Sequence, residues 1–154
     1  MLIYRKVLPE FCKILRDGGK KIVFTNGCFD IIHAGHVRYL TEARELGDLL
    51  FVGLNSDSSV RRLKGESRPI NNEINRAEVL LGLKAVDYVS IFDEDTAEGI
   101  ISEIKPDIYV KGGDYDLNNL PEAKIVQSYG GHVEFIKFVE GLSTTNIVQK
   151  ILKS

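Results

Sequence analysis

The strongest constraint on the fold is a strand–turn–helix unit within residues 21–47. Residues 21–24, Lys-Ile-Val-Phe, form a short apolar and β-branched run, which is typical of a buried parallel strand. From residue 35 to residue 46 apolar residues recur at helical spacing, and Gly47 follows where a helix would end. In an open parallel sheet, ligands bind in the crevice at the carboxyl ends of the strands. The sequence therefore predicts a ligand site between this strand and this helix.

The turn between them, Thr-Asn-Gly-Cys-Phe-Asp-Ile-Ile-His-Ala-Gly-His at residues 25–36, suits a polyphosphate. Gly27 and Gly35 would let a large anion approach the backbone, and the N–H groups at a helix start attract phosphate. His33 and His36 are three residues apart, so both imidazoles can donate to charge that develops during transfer. An isolated pair with this spacing also suits a capping or core role, and both interpretations remain open. Zinc is disfavoured because no third ligand lies at a recognisable spacing.

Alternating apolar runs and amphipathic segments continue along the chain. Strands are expected at residues 21–24, 49–54, 86–92, 108–110 and 133–139. Helices are expected at 7–17, 35–46 and 75–84, from about 97, at 121–129, and at the end of the chain, where residues 141–146 open the last helix. This order predicts an α/β fold, a three-layer Rossmann-like domain with a mostly parallel five-stranded sheet. Residues 1–19 are expected to be an N-terminal helical extension of a domain at 20–154.

Five loops should meet at one edge of this sheet, namely residues 25–36, 55–68, 93–96, 111–115 and 140–145. Residues 58–76 are rich in cations: Arg61, Arg62, Lys64, Arg68 and Arg76. Gly65 and Pro69 interrupt them, so we expect a loop able to fold over an acceptor that carries a phosphate. A solvated charged surface is the alternative.

Three of these loops have both a structural and a functional interpretation. The acidic turn at residues 93–96 is expected to cap the next helix, with a metal site as the weaker alternative. Residues 111–115 either bind a nucleoside or form a plain turn. The hydroxyl residues Ser143, Thr144 and Thr145 either cap the last helix or bind an anion at its start.

Composition excludes several classes of protein. A formal charge of −2 gives no sign of a nucleic-acid binder or a membrane-surface binder. Cys12 and Cys28 lack metal-like spacing and suit reduced thiols. No apolar run reaches membrane-spanning length and no signal-peptide pattern begins the chain, so a cytoplasmic protein is expected.

The block Gly-Cys-Phe-Asp-Ile-Ile-His-Ala-Gly-His at residues 27–36 resembles the signature of the nucleotidyltransferase superfamily that includes the cytidylyltransferases. Residues 55–70, 76–80, 110–115 and 139–145 are similar to its heptose 1-phosphate adenylyltransferase branch. In many bacteria that branch forms the C-terminal half of a bifunctional kinase/adenylyltransferase, and this short chain looks like the stand-alone form. Glycerol-3-phosphate cytidylyltransferases share the outer motifs but are less similar in the Leu-Lys-Gly-x-x-Arg-Pro-Ile and Lys-Gly-Gly-Asp-Tyr segments.

The resemblance implies transfer of AMP from ATP to D-glycero-β-D-manno-heptose 1-phosphate, with release of pyrophosphate, for lipopolysaccharide core or another surface glycan. It implies in-line displacement without a covalent intermediate, Mg²⁺ bound mainly through the phosphates, and a homodimer. The residues agree, because no nucleophile paired with a base is evident and catalysis must come from positioning and charge neutralisation. The choice of ATP rests on the resemblance alone. The alternative is a cytidylyltransferase acting on glycerol 3-phosphate or a similar small alcohol phosphate.

The resemblance also implies roles for individual residues. The expected catalytic residues are His33, His36, Lys64 and Arg76. The nucleotide would be bound by the two histidines together with Asn26, Gly27, Cys28, Phe29, Gly35, Lys111, Gly112, Asp114, Ser143, Thr144 and Thr145. The acceptor would be bound by Asp30, Asp57, Lys64, Arg68 and Arg76. Cys28 is expected to pack and to offer its backbone, and no residue is assigned as a metal ligand.

Overall fold

A computed structural model describes residues 1–113 and 116–154. Its centre is a five-stranded sheet in the order β3-β2-β1-β4-β5, in which every pair of neighbouring strands is parallel. The strands are β1 Ile22–Gly27, β2 Leu49–Asn55, β3 Tyr88–Phe92, β4 Ile108–Gly112 and β5 His132–Ile136. The predicted parallel five-stranded sheet is therefore confirmed.

Helices cover both faces of the sheet. They are α1 Leu8–Asp17, α2 Ala34–Arg44, α3 Asp57–Lys64, α4 Glu73–Leu81, α5 Glu98–Ile104, α6 Pro121–Ser128 and α7 Thr144–Leu152, with short 3₁₀ turns at Arg5–Val7 and Leu117–Asn119. On one face, Phe24 and Phe51 pack with residues of α1, α5 and α6. On the other face, Leu50 and Val52 pack with residues of α2 and α4. The inner strands β1 and β2 are thus buried on both sides, which explains their continuous apolar runs.

The strand order fixes where the site can lie. The chain moves from β1 to β2 and β3 on one side, then crosses to β4 and β5 on the other. The strand order therefore reverses between β1 and β4, and in such a sheet ligands bind in the crevice expected at the carboxyl ends of these two strands. Gly27 ends β1 and Gly112 ends β4, so the predicted histidine turn and the predicted nucleoside loop both leave the sheet there.

The N-terminal segment shares the core of the sheet. Leu2 forms a parallel bridge with Val89 of the edge strand β3, and the Ile3 amide donates to the Val89 carbonyl oxygen at 2.8 Å. Leu8 and Cys12 are fully buried against the sheet. Residues 1–19 therefore stabilise the same hydrophobic core as the rest of the chain.

The expected loop at residues 55–68 is wrong in its first half, because residues 57–64 form the helix α3. Ser56 caps this helix by accepting a hydrogen bond from the Ser59 amide at 3.1 Å, and Gly65 ends it with φ of 102°. Val60 is the one buried apolar residue of α3, so this helix lacks the apolar spacing that indicates most helices.

The acidic turn at residues 93–96 does not cap α5, which makes that expectation wrong. The residue before the helix is Ala97, whose side chain forms no capping bond. Asp93 instead accepts a hydrogen bond of 2.5 Å from the Ser56 hydroxyl, and Glu94 pairs with Arg5 at 3.0 Å. These carboxylates join the end of β3 to neighbouring segments.

Within residues 1–113 and 116–154, no helix has the length and apolar character needed to cross a membrane.

Candidate active site

Two stacked imidazoles begin α2. The Gly35 amide donates to Nδ1 of His33 at 3.1 Å, and the His33 amide donates to Nδ1 of His36 at 3.3 Å. The two rings stack with centroids 3.9 Å apart. Because both Nδ1 atoms accept from amides, each neutral ring carries its proton on Nε2. The capping role and the phosphate-binding role are therefore compatible, since they use different nitrogens of the same ring.

Burial keeps both imidazoles neutral. It lowers the pKa of His36 to about 4, and the neighbouring His33 lowers it further in the same direction. Burial also lowers the pKa of His33. Near pH 7 the rings can therefore stack without repelling each other, and each offers an N–H group at the helix start.

One residue within the turn at residues 25–36 is held in a strained conformation. Phe29 has φ of 45°, a left-handed backbone that bulky side chains rarely adopt. Its buried ring lies 5.3 Å from the ring of His36, and a Cβ on Gly27 would stand 3.0 Å from Phe29 Cε2. Glycine at position 27 thus leaves room for the ring that packs against His36.

The turn at residues 141–145 lies beside the histidine turn. The Thr144 hydroxyl donates to the Ile31 carbonyl oxygen at 3.1 Å, although 113 positions separate the two residues. A Cβ on Gly35 would stand 2.9 Å from Nδ1 of His33 and 3.3 Å from the Leu142 Cβ. Only glycine at position 35 allows this close approach, so the start of α2 lies next to the start of α7.

The hydroxyl residues differ in their settings. Ser143 caps α7 by accepting a hydrogen bond of 3.0 Å from the Asn146 amide. Thr144 is half-buried at the contact with Ile31, and Thr145 is exposed. The start of a nine-residue helix with hydroxyl groups is a suitable place for an anion.

Asp30 anchors the segment that follows α3. Its side chain is 4% exposed and accepts hydrogen bonds from the amides of Ile70 at 2.8 Å and Asn71 at 2.9 Å. The Arg68 guanidinium lies 3.6 Å from the same carboxylate. Asp30 therefore holds Arg68 and its neighbours against the histidine turn, and its oxygens are already engaged.

Arg76 has a different setting from the one we expected. Arg76 is buried, with 1% of its surface exposed. The guanidinium donates to the carbonyl oxygens of Asn71, Cys28 and Asn55 at 2.8–2.9 Å, and to Asp57 Oδ1 at 2.9 Å. These bonds join the ends of β1 and β2 to α4. The enclosed guanidinium thus holds these segments together.

The thiol of Cys28 lies among the charged residues that were expected to bind the acceptor. Burial raises its pKa, the positive charges of Lys64, Arg76 and Arg68 oppose that rise, and the charge of Asp30 adds to it. A protonated thiol is a poor nucleophile, in agreement with the packing role expected for Cys28. Lys64 is exposed at the last position of α3, so its ammonium group is more accessible than the buried guanidinium of Arg76.

The expected nucleoside pocket is described in part. Asn26 accepts a hydrogen bond of 2.6 Å from the Tyr109 hydroxyl, which fixes its amide across β1 and β4. Lys111 is half-buried and Gly112 is buried at the end of β4. Asp114 lies outside the described residues.

Three further residues lie at these contacts although no sequence pattern predicted them, namely Ile31, Phe138 and Leu142. Phe138 packs over Gly112, and Leu142 packs over Gly35. An aromatic residue between the last strand and a hydroxyl-rich turn is the one signal that would have singled out Phe138.

In the part of the chain that the structure describes, no group of three or more His, Cys, Asp or Glu side chains could hold a metal ion. A magnesium ion held mainly through the phosphates of a nucleotide does not need such a group.

Comparisons with known proteins agree with this geometry. The family model described as cytidylyltransferase-like matches residues 24–150. The bifunctional protein HldE of Geobacter sulfurreducens is 56% identical over 136 residues, which are 88% of this chain and 28% of that protein. HldE of Campylobacter concisus is 59% identical over 147 residues, 95% of this chain and 30% of that protein. The chain thus spans less than a third of the length of these curated relatives.

Solved structures give the same result. The lipopolysaccharide core biosynthesis protein of Thermoplasma volcanium is 33% identical with a TM-score of 0.63, and the match covers 79% of this chain and 98% of that one. Pantothenate synthetase of Thermus thermophilus, 14% identical with a TM-score of 0.62 over 88% of this chain and 65% of its own, shares the fold. The strand–turn–helix unit, the paired imidazoles and the family match together show that this chain belongs to the cytidylyltransferase-like family of nucleotidyltransferases.

Proposed function

We propose that this chain transfers AMP from ATP to D-glycero-β-D-manno-heptose 1-phosphate, giving ADP-heptose and pyrophosphate for lipopolysaccharide core or another surface glycan. The acceptor-side motifs support this choice, since residues 55–70 and 110–115 resemble the heptose 1-phosphate adenylyltransferases. The relatives named HldE and the neighbour named for lipopolysaccharide core biosynthesis also support it.

The observation that carries the proposal is the hydrogen bond from Thr144 to Ile31, which brings two anion-binding turns together. His33 and His36 would donate from their Nε2–H groups to the α-phosphoryl group. Ser143, Thr144 and the start of α7 would hold the β- and γ-phosphates. A triphosphate held at both ends presents its α-phosphorus in a fixed orientation, which is the main requirement of in-line transfer.

In the chemical step, an oxygen of the acceptor phosphate attacks the α-phosphorus. A new P–O bond forms, the bond to the bridging oxygen of the β-phosphate breaks, and pyrophosphate leaves with the electron pair. The acceptor phosphate is already ionised near pH 7, so no general base is required. When bound through the phosphates, Mg²⁺ supplies further charge neutralisation.

On the acceptor side, Lys64 and Arg68 would pair with the sugar phosphate, because they lie near Cys28 and are less enclosed than Arg76. Arg76 would act as a positioning residue. Asp57, whose side chain is 25% exposed and bound to Arg76, would accept hydrogen bonds from sugar hydroxyls. Asp30 would keep Arg68 in place through the bonds to Ile70 and Asn71.

On the nucleotide side, the backbone of residues 26–29 and the end of β4 at Lys111 and Gly112 would line the pocket for the nucleoside. The half-buried and buried settings of these residues at the β1–β4 crevice support that role. Asp114 remains part of the proposal on the motif alone.

The proposal also covers the oligomeric state and the cellular location of the chain. We expect a cytoplasmic homodimer that binds neither nucleic acid nor membrane, in keeping with the formal charge of −2. Light scattering coupled to gel filtration would measure the mass in solution, and a monomer would contradict the dimer.

The function is tested with a panel of two nucleotides and two acceptors. ATP or CTP is combined with heptose 1-phosphate or glycerol 3-phosphate in the presence of Mg²⁺, pyrophosphate release is measured, and products are identified by mass spectrometry. We expect pyrophosphate release to be fastest with ATP and heptose 1-phosphate, and the product of that pair to be ADP-heptose. CDP-glycerol as the main product, or no product from any pair, would overturn it.

A further inference from the structure

Phe138 has an unusual position for a phenylalanine. Of the seven phenylalanines it alone is exposed, with 64% of its surface accessible, whereas the other six are buried or half-buried. It lies between β5 and α7, in the segment that leads into the hydroxyl-rich turn. An apolar ring left in solvent beside an anion-binding turn suggests a ligand with a flat apolar face.

The ring covers backbone at the edge of the crevice. A Cβ on Gly112 would stand 2.5 Å from Phe138 Cε1, so the ring lies directly against the last residue of β4. Any larger residue at position 112 would push the ring away. Gly112 borders the crevice between β1 and β4, which places Phe138 where the nucleoside of ATP would lie.

A fixed neighbour orients one side of the ring. Tyr39 lies with its ring centroid 6.1 Å from that of Phe138, at an interplanar angle of 35°. Tyr39 itself is buried, and its hydroxyl bonds to Thr25 Oγ1 at 2.6 Å and to the Val110 carbonyl oxygen at 3.2 Å. Phe138 is thus supported by one rigid aromatic residue and by the backbone of β4.

The same segment is fixed at its other end. Leu142 packs close to Gly35, and Thr144 is bonded to Ile31. The chain from Phe138 to Thr144 therefore runs from the end of β4 to the phosphate-binding turn. A single nucleotide could contact both ends, with its phosphates at the hydroxyl groups and its base near the ring.

We propose that the exposed ring of Phe138 stacks on the nucleobase of bound ATP and is the main side-chain contact to the base. This inference rests on the proposed use of ATP but not on the identity of the acceptor. Stacking on an aromatic side chain is worth about 1–3 kcal/mol per base, which corresponds to about 5- to 150-fold in affinity.

The test compares ATP with inorganic tripolyphosphate, which has the phosphates and lacks the base. Calorimetry with Mg²⁺ present measures both affinities for the unaltered chain and for Phe138→Ala, Phe138→Leu and Phe138→Tyr. Phe138→Ala and Phe138→Leu should weaken ATP binding about 5- to 150-fold and leave tripolyphosphate binding unchanged. Phe138→Tyr keeps the ring and should bind ATP like the unaltered chain. Ile14→Ala removes another exposed apolar side chain, on α1, and serves as the matched control.

Several results would overturn the inference. These are an unchanged ATP affinity in Phe138→Ala, an equal loss of affinity for ATP and tripolyphosphate, a loss in Phe138→Tyr as large as in Phe138→Ala, and no ATP binding by the unaltered chain. Phe138→Leu keeps an apolar side chain at this position, so a loss of ATP affinity in this variant reports the loss of the aromatic ring and not a general loss of folding. A chain that passes this test but makes no ADP-heptose would keep the stacking role and lose only the proposed acceptor.

Discussion

The Thr144 hydroxyl donates a hydrogen bond of 3.1 Å to the carbonyl oxygen of Ile31. This bond joins the turn at the start of α7 to the turn that carries His33 and His36. Two helix starts thereby lie side by side at the carboxyl edge of the sheet. The proposed nucleotidyl transfer requires this contact, because the triphosphate would bind both turns.

Removing the Thr144 hydroxyl should weaken the hold on ATP. Thr144→Val deletes the bond to Ile31 that holds the two turns together, so kcat/KM for ATP should fall at least about tenfold, which corresponds to about 1.4 kcal/mol. Thr144→Ser keeps the hydroxyl and should retain most of the activity. Steady-state kinetics of pyrophosphate release measures the effect, and equal kinetics in the two variants would contradict the role of this bond.

His36→Ala should reduce turnover at least about a hundredfold, because it removes one preorganised donor to the transition state. The matched control is His132→Ala, which removes an exposed histidine paired with Glu134 at 2.8 Å on the edge strand β5. The control should keep the unaltered turnover. A folded His36→Ala variant with unaltered kcat would rule out the catalytic role of His36.

Acid should destabilise the folded chain through His36. Its pKa is lowered to about 4 in the fold, whereas an unfolded histidine titrates near 6.5. Between these values the unfolded state binds more protons, so the free energy of unfolding should decrease as the pH falls from about 6.5 to about 4. The stability that depends on neutral His36 is fully present above the pKa of the unfolded histidine, near 6.5.

Urea unfolding at a series of pH values measures this dependence. His36→Gln replaces the imidazole with a group that does not titrate, and its stability should vary less over the same window. If both chains lost stability in parallel, the titration of His36 would not be the cause.

Substitution of Arg76 should mainly reduce the stability of the fold, whereas substitution of Lys64 should mainly weaken acceptor binding. Arg76→Ala leaves three carbonyl oxygens and Asp57 without their buried partner, and should lower the free energy of unfolding by about 3–5 kcal/mol. Lys64→Ala removes an exposed cation, so it should leave the unfolding midpoint nearly unchanged and raise KM for the acceptor. Thermal unfolding and acceptor kinetics test the pair. A fully stable Arg76→Ala variant would contradict the positioning role.

The features that could be predicted from sequence are those that local patterns determine. The apolar run of β1 and the helical spacing of α2 predicted the strand–turn–helix unit, because burial on both faces of a parallel strand requires continuous apolar residues. The helix α3 was missed because Val60 is its only buried apolar residue. Its capping residue Ser56 was the remaining signal, and a capping serine is common in turns as well.

The contacts within the site could not be read from local patterns. Sequence shows that Arg76 is charged, but its enclosure depends on the carbonyl groups that three separate segments bring to it. The approach of Leu142 to Gly35 likewise depends on the tertiary fold. The parallel topology predicted which edge of the sheet holds the site, and packing decided which side chains remain accessible there.

A crystal structure of the chain with Mg²⁺ and a nonhydrolysable ATP analogue tests the central claim most directly. The account predicts that the α-phosphate lies within hydrogen-bonding distance of Nε2 of His33 or His36, and that the β- and γ-phosphates contact the residues at the start of α7. A triphosphate that contacts only one of these two turns, or that lies outside the crevice between β1 and β4, would contradict it.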